Sequence, residues 1–188
     1  MDKGRLLALT DGIIAIAATI MVLELEIPNK LSGEALLGQL PTIMAYIISF
    51  LQIWIVWHSH HDSFRSAENI NDRVFLLNVL WVLCITLYPF VTGILGRDIT
   101  SKWAELLYIG ILALSSILFQ ILDSQLVKVN PKIKPNRIRN KRVRIALFGG
   151  YIIASIGACF VPVLGLTIVG AMCVVWIIAS SLNLSQRS

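Results

Sequence analysis

The first apolar run does most to limit what this chain can fold into. From Leu6 to Leu23 it is long and apolar enough to cross a bilayer as a helix, yet it carries Thr10, Asp11 and Thr19 inside. An ionisable group within a membrane span is expensive, and it usually faces protein or water and marks function. At about 100° per residue, Ile16, Ile20, Leu23 and Ile27 fall on one narrow stripe and Thr19 borders it. Asp11 lies about 140° from Ile16 on the same count. An aliphatic line with a hydroxyl beside it, and a polar spot facing elsewhere, is an odd design for a plain anchor.

The rest of the chain is built for the same solvent. Hydrophobic residues make up 56% of the 188 and charged residues only 14%, where soluble domains carry about 25% charged residues. Apolar runs of roughly 20 residues are helical spans and not alternating barrel strands. The expected fold is therefore an all-α membrane protein, a single transmembrane domain over residues 1–188 with spans near 6–27, 35–61, 74–95, 104–127, 145–161 and 165–184. Pro28 stops the first, Pro89 kinks the third, and Pro162 with Gly165 offers a turn that splits the last apolar block in two. No small-x-small cleavage site follows the apolar core of the first span before Pro28, so it reads as retained and not as a signal peptide. Cys84, Cys159 and Cys173 are odd in number and sit in apolar stretches, so they read as small core residues.

Lys and Arg orient the spans. With a cytoplasmic N-terminus and six spans, thirteen of the sixteen cations fall inside and only Lys30, Arg97 and Lys102 fall outside. Both termini are then expected in the cytoplasm. The run 128–144 holds eight of the inside cations: Lys128, Lys132, Lys134, Arg137, Arg139, Lys141, Arg142 and Arg144. Such a segment attracts anionic lipid or simply sets topology. It has neither a folded scaffold nor interleaved aromatics, so nucleic acid is not an expected partner. His58, His60 and His61 invite a metal reading, but three His in the whole chain cannot build a di-iron oxygenase site. No catalytic residue, metal or cofactor is expected.

Arg5-x-x-x-Leu9-Thr10-Asp11 resembles the Arg-x-x-x-Phe-Ser-Asp signature that opens the transmembrane protein 175 family of potassium channels. The run Ile13 to Pro28 is similar to that family's first helix. So are Ala45-Tyr-Ile-Ile-Ser-Phe50 and Trp57-His-Ser-His60-His61-Asp-Ser-Phe64 in the second span, and Asn78 and Tyr88-Pro-Phe-Val-Thr92 in the third. Leu9 departs from the signature Phe, whereas Thr10 keeps the hydroxyl of the Ser. The resemblance covers the first half of the chain well and the second half by span count.

The resemblance implies a channel, not an enzyme: a homotetramer of six-span chains around a potassium-permeable pore lined by the first helix. It implies a hydrophobic constriction at Ile16, Ile20 and Leu23 and a hydroxyl layer at Thr19. It also implies a structural network of Arg5, Thr10, Asp11 and Asn78 with His60 or His61. The sequence Thr-Val-Gly-Tyr-Gly is absent, so a carbonyl filter of that kind is not expected. Glu24 and Glu26 flank the stripe at the outer mouth, either as cation-attracting rings or as solvated helix ends. The expected location is a bacterial cell membrane. Two readings stand beside the channel. A small secondary transporter should show internal repeats and broken helices at mid-membrane, and a non-conducting structural protein would use the stripe only for packing.

Overall fold

Side-chain caps and prolines set the ends of the helices. The computed structural model describes residues 2–25, 32–133 and 140–185, with side chains as far as residue 181. Glu26, Ile27, Pro28 and Lys30, the linker cations Lys134, Arg137 and Arg139, and Arg187 lie outside the described residues. Helix α1 (Lys3–Ile20) starts on Asp2, whose carboxylate accepts from the Gly4 amide at 2.9 Å. That satisfies one of the donors a helix N-terminus leaves unpaired. At its other end the chain tightens into a 3-10 turn, Met21–Glu24.

Two expected spans are broken where proline makes continuation costly. The second begins as the short α2 (Gly33–Gly38) and restarts after Gln39 as α3 (Leu40–Arg65), with Pro41 in its first turn. There the missing N–H is an orphan anyway. The third is not a single kinked helix. Helix α4 (Asp72–Ile85) stops at a turn, and α5 (Tyr88–Arg97) resumes the path. Pro89 has no N–H for the Ile85 carbonyl and its ring crowds that oxygen, so α4 ends on Ile85. Thr86 Oγ1 satisfies the Leu83 carbonyl at 2.7 Å.

Helix α6 (Lys102–Val129) is continuous, and α7 (Lys141–Phe160) and α8 (Leu164–Ser185) are joined by a three-residue turn. That turn contains Pro162, but Gly165 lies within α8. The residue with positive φ is Val163, at 70°, a strained place for a β-branched side chain. Gly165 is small for another reason. A Cβ there would come within 3.1 Å of the Ala154 carbonyl, so glycine lets α8 lie close against α7. Cys84 and Cys173 are buried but Cys159 is exposed, so the reading of all three as core residues is corrected at that position.

Among the described residues six segments are long and apolar enough to cross a membrane: Lys3–Glu24, Leu40–Arg65, Asp72–Arg97, Lys102–Val129, Lys141–Phe160 and Leu164–Ser181. Helix α6 is central, packed on α4, α5, α7 and α8, and it buries Tyr108, Leu112, Leu122 and Leu126. Helix α1 lies at the edge of the bundle against α3, α4 and α5. Several buried polar groups are paired across helices, as an apolar solvent favours. Thr92 Oγ1 donates to Ser49 Oγ at 2.8 Å, and Ser49 Oγ lies 3.0 Å from the Tyr108 hydroxyl. Past the end of α6, Asn130 Oδ1 accepts from the Glu68 and Asn69 amides at 2.9 and 2.8 Å. This ties the α3–α4 connection to α6.

Candidate functional site: the first helix and its supports

The two sides of α1 meet different surroundings. Leu6, Thr10, Ile14 and Ala17, with Met21 in the 3-10 turn that follows, are spaced three or four residues apart and buried against the bundle. That spacing is the helical repeat of one face. On the other side Ile16 is 58% exposed, Ile20 44% and Leu23 76%. Thr19 is also exposed, and its hydroxyl donates to the Ile16 carbonyl at 2.9 Å. This bond uses the only proton of the hydroxyl and leaves lone pairs on the oxygen. Ile16 and Ile20 edge a groove of about 500 Å³ that α1 forms with Pro89 and Phe90.

Of the residues grouped as a network, the structure joins Thr10, Asn78 and His60. Asn78 Nδ2 donates to Thr10 Oγ1 at 2.8 Å, and Asn78 Oδ1 lies 2.8 Å from His60 Nε2. This polarity puts the His60 proton on Nε2. All three residues are at most 2% exposed. Aromatic packing fixes the imidazole as firmly as the hydrogen bond does. It stacks on Trp81 with ring centroids 4.8 Å apart and planes 5° from parallel, and on Phe64 at 4.3 Å. One side chain each from α1, α3 and α4 is thereby locked in register.

The remaining grouped residues lie elsewhere. Asp11 is exposed and accepts from the indole Nε1 of Trp57 at 2.9 Å, so its partner in α3 is a tryptophan and not a histidine. His61 is exposed and sits beside the Trp57 ring, centroids 5.5 Å apart. His58 pairs with Asp62 one turn on, at 3.6 Å. The three histidines thus have three separate surroundings. Arg5 is exposed and joins none of the hydrogen bonds of Thr10, Asn78 and His60. Glu24 is half-buried and turned onto α5, so close to Gly93 that a Cβ there would overlap its carboxylate. Sequence reasoning passed over Trp57 as a site residue. The available signal was chemical: a carboxylate inside a span needs a donor, and an indole N–H is one that membrane helices commonly carry.

If the Asp11–Trp57 bond fastens α1 to α3, Asp11→Ala will lower the yield of assembled protein more than it alters any ion preference. Trp57→Phe, which removes the donor while keeping an aromatic ring, should reproduce the loss. Size-exclusion chromatography of the purified variants measures this. Normal assembly together with a changed ion preference would instead place Asp11 in the ion path.

Comparison with known proteins adds an independent line. The sequence model of the family described as endosomal/lysosomal potassium channel TMEM175 matches residues 5–89. A protein from Chryseobacterium named a potassium channel is 32% identical over 184 residues, covering 95% of this chain and 94% of the relative. Another so named, from Streptomyces collinus, is 30% identical over 174 residues, covering 85% of this chain and 84% of its own. The fold matches the crystal structure of a lysosomal potassium-selective channel TMEM175 homolog from Chamaesiphon minutus. The TM-score is 0.80 at 24% identity, over 94% of this chain and 97% of that one. With six apolar helices and a relative of this similarity along nearly its whole length, the chain is an integral, multi-pass membrane protein that belongs to the TMEM175 family.

Proposed function

We propose that the chain forms a potassium-permeable channel in a bacterial cell membrane, with four copies surrounding a pore lined by α1. The observation that carries this reading is the outward stripe of Ile16, Ile20 and Leu23 on a helix whose opposite face is locked into the bundle. Four such stripes around an axis make an apolar collar that gates by dewetting. Thr19 offers oxygen lone pairs between the collar residues, where they can replace part of a cation's hydration shell. Beside the stripe runs a second exposed line, Ala8, Gly12, Ala15 and Thr19. Small residues at that spacing let membrane helices approach closely, which suits the contact of one α1 with the next. The groove next to Phe90 supplies room for a neighbouring copy. Thr10, Asn78 and His60 hold the pore helix from behind, and Asp11 with Trp57 does so from the side.

The reading is tested by mass and by flux. The detergent-corrected mass is expected near four chains, and protein in vesicles should pass potassium passively, without coupling to a second solute. A stable monomer that still conducts would remove the shared pore, and obligatory coupling would make the protein a transporter.

A further inference from the structure

Helix α6 ends and α7 begins on either side of the basic linker, and between them and α4 lies an open groove of about 400 Å³. Its mouth carries two exposed cations, Lys128 in the last turn of α6 and Arg144 in the first turn of α7. Ser124 and Gln125 also line the groove, and its apolar walls come from Leu77, Phe148, Ile121 and Ile117. Lys128 and Ile117 are separated by about 16 Å along α6 at ~1.5 Å rise per residue. Gln120 stands in the same wall. It is 8% exposed, and its side-chain nitrogen has no hydrogen-bond partner among the described residues. A buried donor without a partner needs explaining. It faces a groove that Ser124, Gln125 and the two cations also line.

We infer that the groove is a binding site for one anionic phospholipid. Lys128 and Arg144 hold its phosphate, an ester oxygen accepts from Gln120, and an acyl chain lies along Ile117, Ile121 and Phe148. The chemistry selects this occupant. Three donors ask for a ligand rich in acceptors, and two cations ask for net negative charge. A zwitterionic lipid brings its own ammonium to the cations, and a free phosphate leaves the apolar wall uncovered. The inference rests on the chain lying in a bilayer and not on its conducting ions.

The test follows melting of the purified full-length protein in neutral detergent with added phosphatidylglycerol, phosphatidylcholine or glycerol 3-phosphate. Phosphatidylglycerol should raise the melting temperature saturably, and the other two should not. In the Lys128→Gln/Arg144→Gln variant the half-saturating concentration should rise about thirtyfold, the effect of two cations at a membrane surface. Gln120→Met, which keeps the size and both cations, should weaken binding about tenfold, as expected for one hydrogen bond to a buried donor. It carries the test by itself if the double variant does not fold. Lys132→Gln/Lys141→Gln, with the same charge lost outside the groove, should stay near wild type. Equal stabilisation by phosphatidylcholine or by glycerol 3-phosphate overturns the inference. So does an equal loss in the Lys132/Lys141 variant, because a diffuse field over the linker then suffices. Melting does not register ion flux, so failure here leaves the channel reading untouched.

Discussion

Ile16→Asn is expected to raise resting cation flux on the order of tenfold or more, equivalent to about 1.4 kcal/mol off the barrier, and to narrow the preference for potassium over sodium. In the proposed tetramer the exchange keeps side-chain size close but would place four amides around the axis, where water could hydrogen-bond in place of an apolar collar. The paired variant is Ile14→Asn. Ile14 is 3% exposed, on the opposite side of α1, where an amide would be buried among apolar neighbours. That costs about 2–4 kcal/mol in lost packing and an unpaired polar group, so Ile14→Asn should mainly reduce folded protein. Flux into vesicles at matched protein content separates the two effects. If well-assembled Ile16→Asn channels leak and select as the wild type does, Ile16 is not the constriction.

The second large effect is expected at Asn78, which bonds both Thr10 and His60. Asn78→Leu conserves shape but removes an acceptor from His60 Nε2 and a donor from Thr10 Oγ1, leaving two buried polar groups unpaired. Each costs about 1–3 kcal/mol in a soluble interior, and less within membranes, where an interhelical hydrogen bond averages about 0.6 kcal/mol. A net loss of about 1–4 kcal/mol, or roughly 3–12 °C in melting temperature, follows. Thr10→Val removes one partner alone. Because both substitutions break the Thr10–Asn78 bond, the double variant should be less destabilised than the sum of the singles. Strict additivity would mean that the bond contributes nothing to holding α1 in place.

The residues of α1 show how far spacing alone carries. The helical period sets Ile14 and Ile16 about 160° apart whatever they pack against, and apolar run length sets the number of spans, because bilayer thickness admits few alternatives. Pro89 marked a disturbance in the third span. Whether that was a kink or a full turn depended on the Thr86 hydroxyl capping Leu83 and on α5 packing against α3 and α6. Gly165 read locally as a turn residue, whereas its small size is required by the Ala154 carbonyl of another helix. No local pattern announces such a contact.

Among the polar residues the division is sharper. Sequence placed Thr10, Asp11, Asn78 and a cluster of histidines in neighbouring spans, since buried polar groups must find partners. Which histidine meets Asn78 was decided by rotation of α3. His60 turns inward between Phe64 and Trp81, while His61, one residue and about 100° further round, faces out beside Trp57. The same rotation brings the Trp57 indole to Asp11. The groove at Gln120 had no sequence signature, because its walls come from α4, α6 and α7. Period, length and charge along one helix are properties of the chain, whereas the partner a side chain meets on another helix depends on how the helices rotate and cross.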